Sequence, residues 1–167
     1  MFRNKIKKIS RLLPLISVLK KKNKKIVFTN GCFDIIHYGH VMYLEKAKAM
    51  GDILIVAVNS DSSVRKIKGA KRPLVSEKDR AAIIAALESV DYVTIFRDKT
   101  PYKIIEKIKP DILVKGGDWD KTNIAGSDFV KERGGKTRLI KIVSGRSTTN
   151  LIKKIVKRYG QGNISNI

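Results

Sequence analysis

Two histidines, His37 and His40, stand three residues apart with Gly39 between them, inside the run KIVFTNGCFDIIHYGHVMYL that covers Lys25 to Leu44. Before them, Ile26-Val27-Phe28 is an apolar run short enough for a buried strand, and Asn30-Gly31 is a turn signal. After them, Val41, Leu44 and Ala47 fall at helical spacing. A strand, a glycine turn and a helix with two imidazoles in its first turn build an anion site. The helix N-terminus presents unpaired N–H groups, and Gly31 and Gly39 let backbone approach a ligand closely. Imidazoles can donate to phosphate oxygens as charge grows there in a transition state. The chemistry this favours is phosphate chemistry on a nucleotide. Zinc fits poorly, because no Cys/His pair elsewhere completes four ligands. The sole cysteine, Cys32, excludes an internal disulfide and suggests a reducing, cytoplasmic compartment. A nucleophilic thiol there would need a histidine base, and both histidines read better as phosphate ligands.

Three further stretches could carry chemistry. Ser62 to Arg72 holds Arg65, Lys66, Lys68, Lys71 and Arg72 around Gly69. It is too polar for core and reads either as a solvated basic loop or as a mobile lid that brings ammonium groups to phosphates. Lys115-Gly116-Gly117-Asp118-Trp119 places a double glycine after an apolar run, where backbone can approach a ligand. Ser147-Thr148-Thr149 precedes Asn150-Leu151-Ile152, and hydroxyls at a helix N-terminus cap it, bind anions, or do both.

GCFDIIHYGH resembles the G-x-F-D-x-x-H-x-G-H signature of nucleotidyltransferases related to cytidylyltransferases. The longer TNGCFDIIHYGHVMYLEKAKAMGD, with VKGGDW and Ile124-Ala125-Gly126, resembles the adenylyltransferase branch that forms ADP-heptose. In many bacteria that unit is the C-terminal half of a bifunctional heptose kinase/adenylyltransferase. The resemblance runs from about Ile26 to Tyr159. It implies AMP transfer from ATP, with Mg2+, to D-glycero-D-manno-heptose 1-phosphate, releasing pyrophosphate for lipopolysaccharide core or related glycan synthesis. It assigns His37, His40 and a lysine of the basic loop, Lys66 or Lys68, to catalysis. Asn30, Gly31, Cys32, Phe33, Gly39, Gly116, Asp118 and the Ser147, Thr148, Thr149 trio are implied to hold nucleotide or acceptor. Arg80 is implied to lie near a substrate phosphate or the nucleotide; read by itself it is a surface arginine. The cytidylyltransferases carry an arginine several residues before S-T-T, where this chain has about Ile142, and this difference favours ATP over CTP. A cytidylyltransferase acting on glycerol 3-phosphate or another alcohol phosphate is the alternative within the group. Partners implied are the two small substrates and, because no kinase half precedes the domain, a separate heptose kinase and a phosphatase. A homodimer is compatible with this reading.

These residues need a scaffold. Apolar runs at Ile53–Val58, Asp91–Phe96, Asp111–Lys115 and Arg138–Val143 join Ile26–Phe28 as five strands, and their continuous rather than alternating pattern suits a parallel sheet covered on both faces. Ser76 reads as an N-cap with Asp79 three residues on, Thr100-Pro101 opens a helix, and Gly134-Gly135 ends one. Strands alternating with helices define a single α/β domain, Rossmann-like, with a five-stranded parallel sheet flanked by helices. G-x-G-x-x-G and the P-loop motif are both absent. The 167 residues, 43% hydrophobic, fit one domain with a full core: a basic helical extension over 1–24, the nucleotidyltransferase domain over 25–160 and a flexible tail over 161–167.

The formal net charge is +21, which raises a non-enzymatic nucleic-acid binder as a third reading. Yet Met1 to Lys25 holds ten of the 36 basic residues and none of the 15 acidic ones. With one Trp, base-stacking platforms are scarce, and anionic small substrates favour the same excess. Leu12 to Leu19 is too short to span a bilayer. Lysines follow it where a signal peptide needs small residues. It is expected as an amphipathic helix over Pro14 to Lys21 packed on the body, not as a membrane anchor.

Overall fold

The computed structural model describes residues 1–117, 124–141 and 146–160. Five strands, β1 (Ile26–Gly31), β2 (Ile53–Asn59), β3 (Tyr92–Phe96), β4 (Ile112–Gly116) and β5 (Lys136–Ile140), form one sheet in the order β3-β2-β1-β4-β5. Every pairing is parallel. The helices are α1 (Ile9–Lys21), α2 (Tyr38–Lys48), α3 (Asp61–Lys68), α4 (Glu77–Ala86), α5 (Tyr102–Ile108), α6 (Ser127–Glu132) and α7 (Thr148–Tyr159).

Alternate residues of the buried strands feed two apolar layers, as a sheet covered on both faces requires. Val27, Leu54, Val56, Val58 and Val114 pack with Leu44 and Ala47 of α2 and with Ala81, Ile84 and Ala85 of α4. Ile26, Phe28, Ile55, Ala57 and Leu113 pack on the other face with Leu12 and Ile16 of α1 and with α5. Leu12 is fully buried, so the basic N-terminal helix is built into this layer. The chain before it also joins the sheet edge, through a parallel bridge from Ile6 to Val93. No described helix is long and apolar enough to cross a membrane.

Strand starts are held by carboxylates. Asp111 accepts from the Ile26 backbone N–H at 2.7 Å, and Asp91 accepts from the Leu54 N–H at 2.7 Å and from Lys48 Nζ at 2.6 Å. Each aspartate therefore stands just outside the strand it was expected to open.

Three expectations are corrected here. Helix α1 begins at Ile9, five residues before Pro14, because Ile9, Leu12, Leu13 and Ile16 form one apolar stripe against the sheet. The basic stretch after Asn59 is mostly helix, not loop. Ser60 caps α3 by accepting from the Ser63 N–H, and Ser63 and Val64 are fully buried beneath the exposed lysines. Strand β5 is shifted toward the N-terminus, with Lys136 in register with Ile112; Ile142 and Val143 lie outside the described residues.

The strand order places β1 at the centre. The chain winds outward to β2 and β3 on one side and to β4 and β5 on the other. In such sheets the crevice beyond the carboxyl ends of the strands where the order reverses is the ligand site. Here that crevice lies between β1 and β4, at Gly31 and Gly116.

Candidate active site

A cavity of about 390 Å³ opens at this switch point. Its walls are the end of β1 (Asn30, Gly31), the turn that follows (Cys32, Phe33, Asp34), the first turns of α2 and α7, the end of β4 (Lys115, Gly116), and Lys68 and Arg72. Two helix N-termini thus converge on one space, which favours anions.

The turn after β1 is shaped by close packing. Phe33 takes φ +48°, a left-handed conformation rare outside glycine, and swings its ring back over the strand end. A Cβ on Gly31 would stand 2.9 Å from that ring, so only glycine fits beneath it. The Phe33 ring in turn meets His40 edge-on, with centroids 5.3 Å apart.

His37 is the N-cap of α2 and His40 lies in its first turn. The two rings are stacked, with centroids 3.9 Å apart and planes 26° from parallel. Gly39 permits this arrangement: a Cβ there would come within 3.1 Å of the His37 ring and 3.3 Å of Arg146 Cβ. Nδ1 of each histidine is buried and makes no hydrogen bond among the described residues. Burial, then the neighbouring His37, pushes His40 down to about 4. Burial and the Arg146 guanidinium push His37 down as well. Both rings are neutral at neutral pH, each with an unsatisfied polar atom.

Across the cavity, Ser147 caps α7 by accepting from the Asn150 N–H at 3.1 Å. Thr148 Oγ1 donates to the Ile35 carbonyl at 3.4 Å, tying α7 to the loop before α2. Arg146 lies 5.7 Å from the centre of the Tyr38 ring.

Asp34 is 2% exposed and works as a clamp. It accepts from the backbone N–H groups of Leu74 and Val75 at 2.7 and 2.9 Å and from Arg72 Nε. Burial pushes its carboxyl up, but the bonds from Val75, Arg72 and Leu74 outweigh that and hold it below the usual carboxylate range. The segment after α3 is thereby pinned beside the cavity. Cys32 is pushed up by burial, with Lys68, Arg80 and Arg72 opposing. Its thiol stays protonated at neutral pH.

Twelve of the residues expected from sequence line this one cavity: Asn30, Gly31, Cys32, Phe33, His37, Gly39, His40, Lys68, Gly116, Ser147, Thr148 and Thr149. Asp118 lies outside the described residues, as does Trp119. Lys66 and Arg80 are not among the lining residues. Lys66 is exposed on α3, two residues and therefore about 200° around the helix from Lys68. Arg80 is the larger correction. It is fully buried rather than on the surface, donating from Nε to the Val75 carbonyl at 2.9 Å, from Nη1 to the Cys32 carbonyl at 2.5 Å and from Nη2 to Asp61 at 2.6 Å. Three of its five N–H donors are thus engaged by protein, and it ties together three segments behind the cavity rather than lining it.

Asp34, Tyr43, Arg72, Lys115 and Arg146 line the cavity without having been singled out. The signal for Asp34 was its place in Gly-Cys-Phe-Asp. Arg72 stood at the end of the basic stretch and Lys115 at the head of the stretch 115–119, but neither was given a role of its own.

Lys68→Ala is expected to lower turnover by roughly tenfold or more, the scale of one charged hydrogen bond, while Lys66→Ala leaves it near wild type. Steady-state kinetics on both variants checks this, and a reversed order would reassign the lysine.

A doubly wound sheet with a histidine pair and two helix N-termini at its switch point is the apparatus of an α/β domain that handles nucleotide phosphates. The chain belongs to the cytidylyltransferase-like family of nucleotidyltransferases, whose model matches residues 28–158. It is 53% identical over 157 residues to a relative named bifunctional protein HldE from Geobacter metallireducens, covering 94% of this chain and 32% of that one. It is also 53% identical over 152 residues to the protein of that name from Helicobacter pylori, covering 91% of this chain and 32% of that one. The chain thus spans about a third of the length of the curated relatives it matches. Among solved structures it is similar to a lipopolysaccharide core biosynthesis protein from Thermoplasma volcanium, with TM-score 0.60 and 30% identity over 72% of this chain and 97% of that one. A pantoate-beta-alanine ligase from Francisella tularensis shares the fold, with TM-score 0.57 and 17% identity over 97% of this chain and 81% of that one.

Proposed function

We propose that the chain transfers AMP from ATP to a sugar 1-phosphate, D-glycero-D-manno-heptose 1-phosphate, in ADP-heptose formation. The stacked, neutral His37–His40 pair between two helix N-termini carries the phosphate-transfer part of this reading. The heptose part is supported by about 50% identity to proteins named HldE and by the chain's own VKGGDW stretch. The location this reading implies is the cytoplasm, and the acceptor would come from a kinase and a phosphatase acting in sequence on heptose.

In the reaction an oxygen of the acceptor phosphate attacks the α-phosphorus of ATP. The new P–O bond forms as the bond to the pyrophosphate oxygen breaks, and pyrophosphate leaves with its electron pair. The attacking phosphate is already ionised, so no strong base is required. The enzyme's contribution is alignment of two polyanions and stabilisation of charge at the α-phosphate. His40, the more buried imidazole, faces that growing charge, with His37 beside it. The first turn of α7 and Arg146 take the rest of the triphosphate, and Lys68 and Arg72 supply cations from the pinned segment. Magnesium enters as part of the substrate, Mg-ATP. Among the described residues no group of three or more His, Cys, Asp or Glu could hold a metal, and Asp34, the carboxylate at the cavity, is fully engaged.

The test crosses ATP and CTP with heptose 1-phosphate and glycerol 3-phosphate and reads pyrophosphate release. ATP with heptose 1-phosphate is expected to dominate. A site built for one base edge leaves polar groups unpaired with the other, a penalty on the order of 10⁴-fold where the readout is by hydrogen bonds. CTP preference with glycerol 3-phosphate would overturn both the nucleotide and the acceptor.

A further inference from the structure

We propose that Lys115, held by Asn30 at the ends of β4 and β1, is the residue that grips the phosphate of the acceptor. The inference rests on the adenylyltransferase reading and adds to it the group that selects a phosphorylated acceptor.

Lys115 lines the same cavity as the histidines. Its Nζ donates to Asn30 Oδ1 at 3.0 Å, and among the described residues this is its one hydrogen bond. An ammonium carries three donors, and among the described residues one of them is taken. No carboxylate pairs with it among the described residues. Burial pushes its ammonium down from the ordinary lysine range, with the nearby Cys32 opposing slightly. A part-buried cation with one protein partner among the described residues is costly to keep, and an arriving anion relieves that cost.

The other donors divide naturally from this one. His37, Arg146 and the start of α7 form a contiguous group, since Arg146 acts on His37 and packs against Gly39. That group suits the long triphosphate. Lys115 belongs instead to the strand ends, beside Cys32. In-line transfer requires the acceptor phosphate to approach the α-phosphorus from the side opposite the leaving pyrophosphate. A cation at the strand ends, apart from the α2–α7 group but opening on the same cavity, is placed for that phosphate. Asn30 then acts as a positioning residue, orienting Nζ without touching substrate.

The test separates the two substrates kinetically. Lys115→Met keeps the volume of the stem and removes the charge. Its KM for heptose 1-phosphate is expected to rise about ten- to a hundredfold, the range of a charge-assisted hydrogen bond, with KM for ATP unchanged. An ATP KM that rises equally, or an acceptor KM that stays put, overturns the assignment. If Lys115→Met does not fold, Asn30→Ala takes its place with the same split expected at smaller size. Calorimetry without turnover distinguishes this from failure of the proposed reaction. Heptose 1-phosphate, with inorganic phosphate as a simpler probe, should bind wild type and lose affinity in the variant, while a non-hydrolysable ATP analogue binds both alike. Wild-type protein that binds neither phosphate probe would sink the acceptor site. Wild type that binds them but releases no pyrophosphate would sink the reaction alone.

Discussion

His40→Ala is expected to lower kcat by about 10² to 10³-fold, the scale measured for loss of one preorganised donor at a developing charge, while KM for ATP stays near wild type. The reason is the state in which the fold stores this ring. His40 is packed between Phe33 and His37, its Nδ1 has no partner among the described residues, and burial holds it down to about 4. A neutral, desolvated imidazole adds little to ground-state binding of ATP, which has helix N-termini and other cations to meet it. In the proposed reaction it would contribute most when negative charge gathers at the α-phosphate, and that is the signature of an interaction made in the transition state. If turnover stayed near wild type and only ATP affinity fell, that role would be wrong. The same storage has a pH consequence in the free protein. The folded value lies below the ordinary 6.5, so on acidification the unfolded chain takes up a proton that the folded ring refuses. This group's stability contribution is therefore complete above about pH 6.5 and is lost as pH falls toward about 4. Thermal melts across that window should fall less steeply in His40→Ala than in wild type.

How much of this was legible in the residues follows from where each signal resided. The strands declared themselves because a parallel sheet buried on both faces needs unbroken apolar runs, and Ile53 to Val58 can be little else. The histidine pair was legible because glycine, histidine and a helix start are local in sequence. Helix α3 was not. Its buried side is only Ser63 and Val64, too short a stripe to stand out against three basic residues, and its cap, Ser60, sits in Asn59-Ser60-Asp61, which reads equally well as a loop. Lys115 was hidden for a different reason. Its partner, Asn30, is 85 residues away, and only the β1–β4 pairing brings them together. Arg80 was misread most fully, since in a first helical turn an arginine is ordinarily solvated, and nothing local reveals that its acceptors come from three separate segments.

Arg80→Met is accordingly expected to cost stability more than substrate affinity. The side chain is fully buried, and its guanidinium joins Asp61, the Cys32 carbonyl and the Val75 carbonyl. Those acceptors belong to the start of α3, the turn before the histidines and the approach to α4. Methionine fills similar space but leaves a carboxylate and two carbonyls without their donor. Breaking a buried pair from one side costs about 3–5 kcal/mol. Asp61 is partly exposed and can regain water, so the lower end of that range is expected. For a domain of this size each kcal/mol corresponds to roughly 2–4 °C, so the melting temperature should fall by roughly 6–12 °C. Urea unfolding gives the free energy directly, with an unchanged slope as the sign that the native fold persists. Asp61→Asn made alone and together with Arg80→Met closes a cycle: coupling between two residues in contact should make the double variant less damaged than the sum of the single ones. Below the melting transition, KM for ATP in Arg80→Met should change little, because the guanidinium is fully buried and does not line the cavity. A variant with wild-type stability and a sharply raised KM for ATP would instead make Arg80 a phosphate ligand.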